Sequence, residues 1–361
     1  MTKEDKAILA LLRIAISGKA GDIPDVDWSV VINKATEQGV LGITFDAIDL
    51  LPSEQRPDID NLMEWLGQVE YQKTLYDEHK KAISELAKFY HDNGIQMMLM
   101  KGYGLSLYWP TPEHRPVGDI DIYLGHLWQF GDQLVRDKLS IEVEDSHEHH
   151  TTFPYNGILV ENHYDFINTK ANKEAKHIED KLKQLASSEP KKVKIGIEGK
   201  ESELILPSAD FNAIFLMRHQ GQHFAGSEIT LRQVLDWGFF MQHEHDNITW
   251  TEILPFLKEI GLWKFFNQIN AICVDYLGFE DRIFPEISRD AKLEARILND
   301  IFEPEAAEID KTKSTINVIG QKTLRFFRNS WKRKLVYKES LMSQLWYGSI
   351  AHLRRFDTIK D

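Results

Sequence analysis

Cysteine is nearly missing from this chain, since Cys273 is the only one in 361 residues. A single thiol excludes an intrachain disulfide and any metal site built mainly from cysteines. Long hydrophobic runs are missing as well, and no apolar stretch approaches the roughly 20 residues that cross a bilayer. The first residues also lack the basic and apolar segments of a secretory signal. We therefore expect a cytoplasmic protein without a transmembrane segment.

Positive charge is scarce over most of the chain and concentrated near its end. The whole sequence has a net charge of −13. Residues 311–361 contain twelve Lys or Arg against three Asp or Glu, so residues 1–310 carry −22. Such an acidic body argues against binding a long nucleic-acid duplex, which depends on neutralising phosphates. The basic tail could contact RNA, another acidic partner, an anionic membrane or the protein's own acidic body, and we favour the last.

Hydrophobic periodicity divides the chain into three regions. We predict an N-terminal helical region at 1–93, a mixed α and β domain at 94–207, and a C-terminal helical domain with the basic tail at 208–361. The middle region has predicted strands at 95–101, 118–124, 140–145, 151–155, 157–164, 193–197 and 203–206, the last two joined by a turn at 198–200. The predicted fold class is therefore α+β, a mixed sheet between two helical regions.

The most informative segment is 118–124, where apolar residues flank and separate Asp119 and Asp121. This alternation predicts a buried strand, on which residues i and i+2 project from the same face. Two adjacent carboxylates repel each other and are costly to bury unless a cation lies between them. Hard oxygen ligands suit Mg²⁺ or Mn²⁺. The alternative is a surface strand whose aspartates face water.

Two neighbouring segments extend this interpretation. An apolar run ends at Lys101 and Gly102, and a helix-like stretch containing Ser106 follows. A strand, a glycine turn and a helix N-terminus can offer backbone N–H groups to a phosphate, and Lys101 and Ser106 are candidates to contact it. The strand predicted at 157–164 carries a further carboxylate, Glu161. These parts are typical of a two-metal nucleotidyl-transfer site.

On these segments the sequence resembles the uncharacterised nucleotidyltransferases of the polymerase-beta-like superfamily, in which Lys-Gly replaces the usual Gly-Ser. The resemblance implies a polymerase-beta-like nucleotidyltransferase core, with Asp119, Asp121 and Glu161 as catalytic residues and ligands of Mg²⁺ or Mn²⁺. The third carboxylate of the family is commonly an aspartate followed by leucine and histidine, whereas this chain has Glu161, Asn162 and His163. The matching segments are 35–40, 99–102, 115–122, 160–164, 204–207 and 231–237, together with His219 and His223.

The resemblance also implies an activity. An NMP group would pass from an NTP, with ATP as the default donor, to the hydroxyl of an unidentified acceptor, and pyrophosphate would leave. A small molecule is the acceptor that we favour. Two alternatives stay open: a catalytically silent nucleotide- or protein-binding module on the same fold, and a metal-dependent phosphohydrolase that uses the same carboxylates.

Two arginines are candidates for nucleotide binding. Arg115 precedes Asp119 by four residues, and its planar guanidinium suits either a phosphate or a carboxylate. It is therefore expected to contact phosphate or to neutralise Asp119 or Asp121. The resemblance places Arg232 near the base, ribose or phosphate of the nucleotide, and Gly102 completes the predicted nucleotide-binding set.

Histidines form two groups with open interpretations. His147, His149 and His150 precede a predicted strand, where they could form a zinc site with His163 or lie near the active cleft. The pair at 219 and 223 has helical i, i+4 spacing, which permits a metal ligand pair. For that pair we favour a polar helix face that is hydrogen-bonded to Arg232 or to residue 236.

Overall fold

A computed structural model describes residues 1–346 of the chain, except 146, 171, 189, 198–199 and 306–314. The N-terminal region is helical, as predicted: α1 (Lys3–Ser17), α2 (Trp28–Glu37), α3 (Leu41–Phe45) and α4 (Ile59–Asp92). Local capping explains where these helices begin. The side chains of Thr2, Asp27 and Asp58 each accept a hydrogen bond from a backbone N–H of the first turn. The segment after residue 58 forms one continuous helix of 34 residues.

The middle region alternates strands and helices. Its elements are β1 (Met98–Met100), α5 (Gly102–Ser106), β2 (Ile120–Tyr123), α6 (Trp128–Leu134), β3 (His150–Tyr155), β4 (Ile158–His163), α7 (Ala175–Ala186), β5 (Lys191–Ile197) and β6 (Lys200–Leu206). The strands form one mixed sheet in the order β3-β4-β2-β1-β6-β5. β2 is antiparallel to β1 and parallel to β4, and β1 is parallel to β6. The predicted α+β class is confirmed.

The rest of the described chain is helical. It contains α8 (Ala209–Gly226), α9 (Leu231–Glu244), α10 (Trp250–Glu259), α11 (Trp263–Asp275), α12 (Ala291–Phe302), α13 (Thr315–Arg328) and α14 (Ser330–Val336). The helical character predicted for the C-terminal region agrees with these elements. No helix within the described residues is long and apolar enough to span a membrane.

Two hydrophobic cores hold these layers together. One lies between the second half of α4 and one face of the sheet, where Leu99, Ile120, Ile122 and Val160 are buried. The other combines the N-terminal helices with the C-terminal ones and takes Met98, among other side chains, from the opposite sheet face. The first and third regions therefore share a core, while the proposed boundaries at 93 and 207 stay a prediction.

One predicted strand is wrong. Residues 140–145 contain only an isolated bridge, in which Glu144 pairs with Thr152. The apolar alternation of that segment reflects side chains that pack under the sheet edge, since Val143 is buried in the core beneath α4. Residues 198 and 199 of the predicted turn at 198–200 lie outside the described residues.

The described part of the basic tail docks against the protein's own body. The ammonium of Lys332, fully buried on α14, contacts the Asp300 carboxylate of α12 at 2.5 Å. It also donates a hydrogen bond to the carbonyl oxygen of Ser227 at 3.0 Å. Docking on the body, the favoured interpretation of the tail, is confirmed for α14. An acidic partner stays a prediction, and residues 347–361 lie outside the described part.

Candidate active site

Strand register brings the predicted carboxylates together. β2 and β4 are parallel neighbours, and Asp121 lies directly beside Glu161. Because side chains alternate along a strand, Asp119 is expected on the same face as Asp121, while Ile120 and Ile122 fill the core on the other. Oxygens of Asp121 and Glu161 and a ring nitrogen of His163 all lie within 4.8 Å of one another.

Lys101 lies against this carboxylate group. Its Nζ is 2.7 Å from Asp121 Oδ1. Burial alone would lower the pKa of Lys101, but the charges of Asp121, Glu161 and Asp119 outweigh it and raise that pKa, so the lysine stays protonated. Its backbone has a φ of 44°, in the left-handed region. Such strain costs about 1–3 kcal/mol and often accompanies a functional constraint.

The carboxylates differ in how their charges are balanced. Burial raises the pKa of Asp119, and the charges of Asp121 and Glu161 raise it further. Burial also acts to raise the pKa of Asp121, but Lys101 and His163 lower it well below its usual range. The hydrogen bond from His163 likewise outweighs burial at Glu161 and lowers its pKa. Of the three carboxylates, Asp119 is therefore the one whose negative charge is least balanced by neighbouring positive groups.

His163 links Asp121 to Glu161. Its Nε2 is 2.9 Å from Asp121 Oδ1 and 3.3 Å from Glu161 Oε2. Burial lowers the pKa of His163, but these two carboxylates outweigh it and raise that pKa. The preceding residue, Asn162, faces the opposite side of β4. There its buried amide donates to Asp132 Oδ1 at 2.8 Å.

A cavity of about 330 Å³ opens beside the carboxylates, between the sheet and the helices α8 and α9. Six of the predicted site residues line it: Lys101, Gly102, Arg115, Asp119, Asp121 and Arg232. Leu105 and Leu216 supply apolar wall, while Gln220, Gln233 and the two histidines at 219 and 223 supply polar wall. The structure thus gathers most of the predicted set around one cleft.

Arg115 lines this cavity, but its guanidinium forms an ion pair with a carboxylate that the sequence analysis did not assign to it. Its Nε and Nη2 donate to the two carboxylate oxygens of Asp236 at 2.7 and 2.8 Å. Its Nη1 donates to the carbonyl oxygen of Pro116, and Trp109 donates to Asp236 as well. The expectation that Arg115 neutralises Asp119 or Asp121 is therefore wrong. Pairing across 121 residues leaves no local signal in the sequence.

Arg232 contrasts with Arg115. It lies on the same cavity wall, one turn before Asp236 on α9, and forms no ion pair within the described residues. Burial lowers the pKa of Arg232, and the neighbouring charge of Arg115 lowers it further. Its guanidinium is therefore the positive group of the cleft that remains available to a ligand.

Ser106 does not belong to the site. Its side chain is fully buried, and its hydroxyl is 2.9 Å from the Tyr76 hydroxyl and donates to the Tyr103 carbonyl at 2.7 Å. These bonds hold α5 against α4. The predicted phosphate contact of Ser106 is wrong, because in this short helix the serine faces the core. α5 itself spans only five residues.

His219 and His223 face the cavity with their rings in edge contact, 4.5 Å between centroids. Burial lowers the pKa of His219 well below its usual value, and the charge of Lys101 lowers it further, so this ring is neutral. Within the described residues neither ring is hydrogen-bonded to Arg232 or Asp236, contrary to the expectation for this pair. Asp236 instead accepts from Arg115 and Trp109.

The second histidine group lies on the same sheet face. The His150 and His163 ring centroids are 5.1 Å apart, and that of His149 is 4.5 Å from that of His150. Burial lowers the pKa of His149 to about 4 and that of His150 to about 3. Both rings are therefore neutral near pH 7. The alternative that placed His149 or His150 near the active cleft agrees with these positions.

Comparison with known proteins adds one finding. A family model described as an uncharacterised nucleotidyltransferase matches residues 24–278. That range includes the whole sheet and every cleft residue described above. No curated protein and no solved structure was found to match the chain.

Proposed function

The chain belongs to a family of uncharacterised nucleotidyltransferases, and on this premise we propose that it transfers an NMP group from an NTP to the hydroxyl of an acceptor. The observation that carries the proposal is that Asp119, Asp121 and Lys101 line one cavity, with Glu161 directly beside Asp121 on the neighbouring strand. The cavity volume of about 330 Å³ is at the low end for small-molecule sites. A small acceptor is proposed on that basis, with ATP taken as the default donor.

The donor set fits a hard divalent cation. Three carboxylates lie around the ammonium of Lys101, so negative charge exceeds positive charge even when His163 is protonated. The raised pKa of Asp119, caused by burial and by its neighbours Asp121 and Glu161, reflects this excess. Mg²⁺ or Mn²⁺, when bound, would supply charge neutralisation for the triphosphate. Asp119, Asp121 and Glu161 are the residues that would hold it.

The chain's own groups have separate roles in the proposed reaction. The acceptor oxygen forms a bond to the α-phosphorus, and the bond from that phosphorus to the oxygen of the departing pyrophosphate breaks. Glu161 accepts the proton that the acceptor hydroxyl loses. Arg232 and the backbone N–H of Gly102 stabilise the negative charge of the departing phosphates. Leu105 and Leu216 exclude water from one wall of the cavity.

A catalytically silent nucleotide-binding module is the second candidate. Its support is that Lys101 and His163 both contact Asp121 Oδ1. Protein groups thus already balance the charge of the most buried carboxylate, which lowers its need for a cation.

Binding is tested first. We expect calorimetry to find at least one of the four NTPs bound in a Mg²⁺-dependent manner, and Asp119→Asn or Asp121→Asn to remove that dependence. Asp180→Asn, an exposed carboxylate on α7, is the matched control and should bind like wild type. Mg²⁺-independent binding that survives both variants would contradict the assignment of these aspartates.

Turnover then separates the candidates. Pyrophosphate release that depends on an added acceptor, and that is abolished in Asp119→Asn and Asp121→Asn folded like wild type, is expected for the transferase. Nucleotide binding without any product across an acceptor screen would favour the silent module. Release of orthophosphate without a modified acceptor would instead indicate a phosphohydrolase.

A further inference from the structure

Three histidines are brought together by main-chain pairing. His150 on β3 lies directly opposite His163 on β4 in the antiparallel register. The carbonyl oxygen of His149 accepts hydrogen bonds from the N–H groups of Tyr164 and Asp165, at 3.0 and 3.1 Å. The backbone therefore fixes all three positions independently of what the side chains contact.

The ring nitrogens of these histidines are close enough to share an ion. One nitrogen from each of His149, His150 and His163 lies within 4.8 Å of the others. In a tetrahedral zinc site with Zn–N bonds of 2.0–2.1 Å, two ligand nitrogens are roughly 3.4 Å apart. The three nitrogens are therefore within about 1.4 Å of the spacing that such a site requires.

The ring nitrogens of His150 are buried and make no hydrogen bond to the described residues. The residue is only 6% exposed, and both of its ring nitrogens are without such a partner. Among the same residues, Nδ1 of His149 is also buried without a partner. Each such atom costs about 1–3 kcal/mol, and folded proteins rarely leave several together. The described part of the chain therefore leaves these nitrogens in need of an interaction.

The Glu161 carboxylate lies near His150, at a distance typical of two ligands that bind the same ion. His150 Nε2 is 3.7 Å from Glu161 Oε1, which is too long for a hydrogen bond. His163 Nε2 is 3.3 Å from the other oxygen of the same carboxylate. Separations of this size are those between two ligands of one ion.

We propose that His149, His150 and His163, with Glu161 as a fourth ligand, bind a late first-row divalent cation such as Zn²⁺ or Co²⁺. Imidazole nitrogen selects such ions over Mg²⁺, which prefers oxygen. The site is thus distinct in chemistry from the aspartate pair, although Glu161 and His163 belong to both groups. The ion would fix the Glu161 carboxylate at the border of the nucleotide cleft. The inference does not depend on nucleotidyl transfer.

The experiment titrates the full, chelator-treated chain with Co²⁺ alone, in millimolar Mg²⁺ to occupy oxygen sites. We expect one Co²⁺ per chain and the strong visible absorption of four-coordinate Co²⁺ with nitrogen ligands. Zn²⁺ should abolish that absorption by competition. In His149→Gln/His150→Gln we expect the affinity to fall on the order of 100-fold or more, beyond the 10–100-fold typical of lost outer-shell partners.

Two controls keep the result specific. His91→Gln, an exposed histidine on α4, should bind Co²⁺ like wild type, and so should His126→Gln, an exposed histidine before α6. If the double histidine variant does not fold, paramagnetically shifted imidazole N–H signals in Co²⁺-loaded wild type test the same ligands. Weak, octahedral absorption in wild type would overturn the proposal, as would unchanged Co²⁺ binding in the double variant. Because no nucleotide is present, neither outcome bears on the transferase proposal.

Discussion

At the scale of single residues, charge pairing decides which groups of the cleft are available to a ligand. Arg115 and Arg232 line the same cavity, but only Arg115 is held by a buried carboxylate, with 4% of its own surface exposed. The charge of Arg115 is balanced by Asp236, and three of its five N–H groups are already hydrogen-bonded, so it attracts a phosphate less than Arg232 does. Substitution by alanine should therefore mainly weaken ligand binding at Arg232 and mainly lower the stability of the fold at Arg115.

We expect Arg232→Ala to weaken NTP binding roughly 10- to 100-fold, the effect of losing a charge-assisted hydrogen bond of about 1.5–3 kcal/mol. Its free energy of unfolding should change by about 1 kcal/mol or less. Arg115→Ala should instead lower the free energy of unfolding by about 3–5 kcal/mol, since Asp236 is left buried and unpaired. Calorimetry and urea unfolding measure the two effects.

Arg289→Ala is the matched control for the stability measurement. Arg289 also forms a carboxylate pair, with Asp275, but both side chains are substantially exposed. Solvent screens such pairs, so the loss of stability should be much smaller than for Arg115→Ala. Equal losses in the two variants would show that burial does not set the strength of these pairs.

At the scale of elements, the end of α9 is tied to the sheet through one carboxylate. Glu244 accepts hydrogen bonds from Lys191 at the start of β5 (2.8 Å) and from Tyr108 after α5 (3.1 Å). Asn247 donates to its second oxygen at 2.8 Å. Burial acts to raise the pKa of Glu244, but the hydrogen bonds from Lys191 and Asn247 outweigh it and lower that pKa.

This lowered pKa predicts a pH-dependent contribution to stability. A carboxylate with a depressed pKa in the folded state stabilises above its unfolded pKa and loses that effect as the pH falls through its folded pKa. Relative to Glu244→Gln, wild type should be more stable by about 2 kcal/mol at pH 7. The difference should shrink below the usual glutamate value of 4.5. Urea unfolding at pH 7, 5 and about 3.5 measures it, and a pH-independent difference would contradict the assignment.

At the scale of the whole molecule, the C-terminal helix α14 closes the core that the N-terminal helices begin. α14 packs on α8 and α11, and Val336 is buried in that shared core. Lys332 and Asp300 form the ion pair that joins α14 to α12, and both are essentially inaccessible to solvent. The basic tail therefore contributes stability to the body through at least one buried charge.

We expect Lys332→Met to lower the free energy of unfolding by about 3–5 kcal/mol, because it leaves the Asp300 carboxylate buried without its partner. Removing both charges, in Lys332→Met/Asp300→Leu, should recover most of that loss. Lys88→Met, which breaks an exposed pair with Asp92 on α4, is the control and should have little effect. If the double variant is no more stable than the single one, the buried charge is not the cause.

Much of the fold follows from local sequence. Alternating apolar residues indicated β2 and β4, and hydrophobic periodicity indicated the helical regions before and after the sheet, because these signals act within one element. The strand prediction at 140–145 was wrong because a short apolar run can pack under a sheet edge without forming the backbone hydrogen bonds of a strand. The predicted phosphate contact of Ser106 was wrong for a related reason, because a helix of five residues is too short for its sequence to indicate which face is buried.

The sequence by itself determined the carboxylate strands, the Lys-Gly turn and the family, because each is written in residues close along the chain. Only the tertiary structure decided which charges pair. Arg115 meets Asp236, and Lys101 meets Asp121, through contacts that depend on strand register and helix docking. Electrostatic pairing depends on distance in space and on burial, and neither quantity is fixed by separation along the chain.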